Sequence, residues 1–150
     1  MGGATVLLAG SRNPDGVIAV IDDCGYSSCK EEYEYECRKI FHLPSVLVVP
    51  FFRFWTKNRI GLDFYSINPA EATKSTKIPT LFIHGRCDKL VPLWMTNKNY
   101  QSCGARNKQI HLIEDAGHAE CQFKDKREYC RIIDQFLSSV MHQSVDCSIR

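Results

Sequence analysis

No stretch of this sequence is apolar for long enough to cross a bilayer. The longest, from Leu43 to Trp55, is broken by Pro50 and Arg53, whereas a span needs about 20 residues. An excess of one charge is equally lacking. Nineteen basic and 17 acidic residues leave a net charge of +2, which offers no electrostatic footprint for nucleic acid or a membrane surface. The first ten residues have no basic segment ahead of an apolar one, so no secretory signal is read and a cytoplasmic location is expected. No Cys-x-x-Cys pair occurs, which excludes a thioredoxin-like redox motif. Eight cysteines in 150 residues fall below the ~8–10% of a disulfide scaffold, so free thiols are expected. Neither Gly-x-Gly-x-x-Gly nor a phosphate-loop lysine is present, and Gly2-Gly3 alone makes no nucleotide site. The most telling absence is catalytic: no serine lies in a Gly-x-Ser-x-Gly context. Ser11 follows Gly10 but is itself followed by Arg12 and Asn13.

What is present is an ordinary globular composition, 44% hydrophobic and 24% charged, in a chain long enough for one domain over residues 1–150. Ala4, Leu7 and Leu8 share one face of a helix over residues 2–9. Asn13-Pro14-Asp15-Gly16 stacks four turn formers. Val17–Ile21 is a short β-branched run and predicts a buried strand. From Ser27 the period becomes helical, with Tyr33, Cys37, Ile40 and Phe41 on one face until Leu43-Pro44 stops it. Asn68 and Pro69 have the N-cap and first-turn chemistry of a helix start. Thr80–His84 and Gln109–Ile113 predict two further strands, with a helix between Pro92 and Gly104. A last helix, from about Lys126 to Met141, opens on Asp125 and Glu128, which have capping-box spacing. Tyr129, Ile132, Ile133, Phe136, Leu137 and Val140 form its buried stripe. Short buried strands alternating with amphipathic helices predict an α/β fold with parallel strands and flanking helices. Chemistry in such sheets sits beyond the carboxyl ends of the strands.

Two of those ends carry reactive side chains. His84-Gly85-Arg86-Cys87-Asp88-Lys89-Leu90-Val91-Pro92 follows one strand, and Ala116-Gly117-His118-Ala119 follows the next. His-Gly-x-x-Asp-x-x-Val-Pro followed by Ala-Gly-His resembles the acid and base loops of the α/β-hydrolase serine hydrolases. The bacterial serine aminopeptidase-like and lipase-like group is the nearest in pattern, and Asp22-Asp23-Cys24-Gly25-Tyr26 resembles it too. Met1-Gly2-Gly3 reads as the second half of a nucleophile elbow whose serine lies just before Met1. The resemblance covers nearly the whole chain. It implies the C-terminal half of an α/β-hydrolase, starting just after the nucleophile, with the N-terminal half of the same protein as its partner. It further implies acyl transfer on a small-molecule ester, thioester or amide, with no cofactor and no metal. His118 would be the base, Asp88 the acid that fixes its tautomer, and the Met1 backbone N–H an oxyanion donor. A residual half-sheet would expose the Val17–Ile21 edge, so the chain alone is expected to be inactive and poorly stable.

Residues 26–65 fall where this superfamily inserts a helical cap, and Phe51, Phe52, Phe54 and Trp55 are candidates to line an apolar substrate pocket. A membrane-surface role is not expected of them, since few basic residues flank the aromatics. Plainer readings stand beside each assignment. His84 reads as a loop-shaping residue, Asp23 is a rival acid, and Glu114 and Asp115 read as solvated charges. His84-x-x-Cys87 and His118-x-x-Cys121 could together hold a tetrahedral zinc. A non-catalytic remnant or interaction protein that keeps the fold without the nucleophile is the main alternative; retention of both Asp88 and His118 favours the enzyme.

Overall fold

The computed structural model describes residues 1–148, with side chains to residue 142. Three parallel strands, β1 (Val20–Asp23), β2 (Thr80–Gly85) and β3 (Lys108–Ile113), form a sheet in the order β1-β2-β3. Val20 is opposite Thr80 and Asp23 opposite Ile83; Thr80 is opposite Lys108 and Gly85 opposite Ile113. The first strand therefore begins three residues later than the Val17–Ile21 run predicts. Its partner supplies the reason: β2 starts at Thr80, and the Val20 N–H donates to the Pro79 carbonyl at 2.9 Å. Val17 and Ile18 lie ahead of any strand and are exposed.

Helices cover both faces of the sheet. On one, Leu81, Ile83 and Ile113 pack with Ile132, Phe136 and Val140 of α7 (Lys126–Ser148), as the predicted stripe requires. On the other, Phe82 and Val20 pack with Leu7 of α1 (Gly2–Gly10) and with Cys103 and Ala105 beyond α5 (Leu93–Ser102). Successive β2 residues thus point to opposite faces, and the strand is buried throughout. The small residues of α1 permit a close approach. A Cβ on Gly3 would stand 2.3 Å from Asp22 Oδ1 and 2.8 Å from the Asp23 carbonyl oxygen.

Between β1 and β2 the chain forms α2 (Cys29–Lys39), α3 (Ser45–Ile60) and the short α4 (Pro69–Ala72). Ser28 caps α2 by accepting the Glu31 N–H at 3.2 Å, and Asn68 caps α4 by accepting the Glu71 N–H at 3.0 Å. Tyr33 and Cys37 face inward as their spacing predicts, whereas Ile40 and Phe41 fall past the end of α2 and are exposed. Pro50 sits inside α3, and Gly61 closes that helix with φ 70°. A third core, with Tyr26, Cys29, Val49, Phe64, Val91 and Met95, joins this insertion to the carboxyl ends of the strands. Beyond β3, the four-residue α6 (Cys121–Lys124) leads to α7. Asp125 accepts the Glu128 N–H at 3.0 Å, while Glu128 turns to Arg131, so only half of the capping box forms. No described helix is long and apolar enough to cross a membrane.

Candidate active site

Asp88 and His118 come together from the loops that follow β2 and β3. Asp88 is buried, and its Oδ2 accepts from His118 Nδ1 at 2.8 Å. Its Oδ1 accepts the backbone N–H groups of Leu90 and Val91, both at 2.9 Å. A carboxylate oxygen can only accept, so Nδ1 of His118 carries a proton, and in the neutral ring Nε2 is the nitrogen with the lone pair. The His118 side chain is 29% exposed and can meet an incoming group.

Glycine shapes the loop around the pair. Gly85 packs so tightly on the next loop that a Cβ there would stand 2.3 Å from the Ala116 carbonyl oxygen. The Cys87 N–H donates to that same carbonyl at 2.9 Å. His84 is fully buried under the acid loop: its Nε2 lies 2.9 Å from the Val91 carbonyl and therefore donates to it, and its Nδ1 is 2.7 Å from the Thr96 hydroxyl. It braces the loop and has no exposed surface. Burial alone would depress its pKa, but the Cys24 thiol, the Val91 carbonyl and nearby Asp88 outweigh it and push it up.

The remaining sequence candidates separate. Asp23 Oδ2 accepts the Tyr129 hydroxyl at 3.0 Å, so the carboxylate on His118 is that of Asp88. Glu114 pairs with Arg86, and Asp115 is exposed. The set His84, Cys87, His118 and Cys121 does not converge on a zinc geometry. Among the described residues, the metal-capable side chains that cluster are Asp23, Cys24 and Cys121, and Cys24, His84 and Asp88. Cys87 is exposed, whereas the Cys121 thiol lies 4.0 Å from that of Cys24. That contact, with burial, pushes the Cys24 thiol far up and keeps it protonated. Seven cysteines are free thiols; Cys147 lies outside the described side chains.

Met1 stands at the N-terminus of α1 and shares with His118 both hollows beside the imidazole. Phe51, Phe52, Phe54 and Trp55 line neither of them. Phe51 and Phe52 border a separate apolar hollow with Phe41 and Leu43, and Phe54 lines a groove with Arg53 and Tyr65. Phe52 packs edge-on to Tyr33 at 5.5 Å and stacks with Trp55 at 6.4 Å. The cavity of about 170 Å³ at His118 is walled instead by Tyr26, Cys29, Glu32, Tyr33 and Val91. Of these, Tyr33 is on the predicted apolar face of the helix, whereas Cys29 and Glu32 were not singled out from the sequence. The spacing of Cys29, Glu32, Tyr33 and Glu36, at i, i+3, i+4 and i+7, was the available signal for one shared face.

The parallel sheet with helices on both faces matches the C-terminal part of solved α/β-hydrolase folds. An esterase of Pyrococcus furiosus superposes with a TM-score of 0.66 at 22% identity, over 94% of this chain and 51% of its own. An α/β hydrolase enzyme, MGS-MChE2, from the metagenome of lagoon sediments at Mar Chica, Morocco, superposes with a TM-score of 0.61 at 18% identity, over 92% of this chain and 57% of its own. In sequence, the uncharacterized protein YqkD of Bacillus subtilis (strain 168) is 29% identical over 141 residues, which is 93% of this chain and 46% of that protein. The chain thus spans about half the length of the proteins it matches. No family model matches it.

Proposed function

We propose that this chain supplies the acid–base half of a serine hydrolase that transfers acyl groups from esters, thioesters or amides. The observation that carries the reading is the Asp88–His118 hydrogen bond at 2.8 Å, with the other oxygen of Asp88 fixed by two backbone N–H groups. This pair leaves His118 Nε2 free to take a proton from a hydroxyl nucleophile and to return it to the leaving group. Asp88 is the positioning acid: it sets the tautomer and stabilises the imidazolium when it forms. The nucleophile is a serine immediately upstream of Met1, which gives the chain order Ser, Asp, His. The Met1 backbone N–H, at the positive end of α1, would donate to the oxyanion, and a loop of the N-terminal half would supply the second donor. The partner is then that N-terminal half, which would pair a parallel strand with the outer edge of β1. Superposition on about half of each esterase and hydrolase chain supports this division.

The test uses the product translated with the coding sequence upstream of Met1. It should hydrolyse a p-nitrophenyl ester, and His118→Ala should lower kcat by about 10³-fold or more. A longest product that is folded yet inert would favour the remnant instead.

A further inference from the structure

Glu32 is a buried carboxyl that the acid–base pair does not use. It is 8% exposed, on the inner face of α2, and its Oε2 has no hydrogen-bond partner. It lines the cavity of about 170 Å³ that also holds His118, together with Tyr26 and Tyr33. Glu36, one turn further along α2, lines the same cavity, and no lysine or arginine side chain does. Asp88 adds a third carboxylate within electrostatic reach of Glu32.

A carboxylate in this position is costly, because burial removes water from Oε2 and no hydrogen bond replaces it. A long acyl chain in the cavity would worsen that cost by sealing the carboxylate under hydrocarbon. A cation would remove it, and aromatic walls suit a cation as well. The volume limits the guest to a small group, since it equals that of about five or six water molecules in the liquid. We propose that this cavity is a subsite for a protonated amine on the substrate, with Glu32 as its counter-ion and Glu36 as the outer carboxylate that draws it in. The substrate class, on the acyl-transfer reading above, is an amine-bearing acyl compound. Burial first, then Glu36 and Asp88, push the Glu32 pKa up to about 7, against the opposing pull of the Met1 ammonium, whose residue lines the same cavity.

The experiment is a binding titration of the longest product translated through Met1, followed by NMR, with benzylammonium and its neutral counterpart benzyl alcohol near pH 8. Benzylammonium should bind about tenfold more tightly or better and shift the amide signals of Glu32 and Tyr33. Glu32→Gln, close in shape, should bring the two ligands to parity; Glu36→Gln should cost only about two- to threefold. Equal binding of the two ligands to the unaltered chain overturns the proposal, and so does a preference that survives in folded Glu32→Gln. Should that variant fail to fold, the comparison on the unaltered chain and Glu36→Gln still decides. Binding needs no nucleophile, so a negative result leaves the hydrolase reading standing, and loss of the hydrolase reading leaves the amine site to be judged on its own titration.

Discussion

Asp88 does two jobs at once: it closes its own loop through Leu90 and Val91, and it holds the imidazole of His118. Asp88→Asn should keep much of the loop, since an amide oxygen can still accept two N–H groups. It should nevertheless release the Nδ1–H tautomer of His118, visible in the ¹⁵N shifts of the ring, and lower kcat of the longer product by about 10⁴-fold. Asp22 tells a different story. Both of its carboxylate oxygens are buried without a hydrogen-bond partner, and the Gly25 N–H and the Met1 ammonium offset only part of the burial effect. Burial, then Asp23, raise its pKa from 3.8 to about 7. The folded state therefore holds this proton more tightly than the unfolded chain does. The contribution of Asp22 to stability is greatest below about pH 4, falls by up to roughly 1 kcal/mol per pH unit towards pH 7, and levels off above it. Asp22→Asn should flatten that fall and raise the urea midpoint above neutrality; an unchanged pH profile would refute the assignment. Asp88 and His118 were legible because loop chemistry keeps its spacing in sequence. The burden on Asp22 was not, because it arises from α1 packing over β1.

At the scale of elements, the glycines at the start of α1 make opposite predictions. Nothing lies within 4 Å of a Cβ built on Gly2, whereas one on Gly3 meets Asp22, the Asp23 carbonyl and Gly25 Cα at 2.3–2.8 Å. Gly2→Ala should stabilise the chain by about 0.5–1 kcal/mol through helix propensity. Gly3→Ala should cost about 1–3 kcal/mol, because two of its three clashes are with backbone that cannot swing away. Urea denaturation of the two variants separates them. Sequence periodicity located most elements, since β2 and α7 bury one pattern each. It misplaced β1, whose start is set by its partner Thr80 rather than by its own apolar run. It did not place the aromatics of α3 relative to His118. Val49 and Thr56 are buried and Phe52 meets Tyr33 and Phe64, while Phe51, Phe54 and Trp55 are exposed and line neither hollow beside His118. Composition announces an aromatic helix; only the packing of α3 against α2 decides which side faces the site.

At the scale of the whole molecule, β1 is an edge strand of the described sheet. Among the described residues no strand pairs with the outer edge of β1, and Val17 and Ile18 are exposed ahead of it. Val46, Leu47, Phe51 and Phe54 add an apolar surface on α3. Unpaired edges and apolar patches of this kind promote association. The 150-residue chain should therefore self-associate at micromolar concentration in sedimentation velocity, and Ile18→Lys should reduce it. A strictly monomeric chain would contradict the unpaired edge. The most direct measurement of the central claim is mass spectrometry of the longer product after reaction with a fluorophosphonate. The account predicts a single adduct on the serine immediately before Met1, in the tryptic peptide that ends at Arg12, and its loss in His118→Ala. An adduct on any other serine, or none on a folded protein, would contradict it.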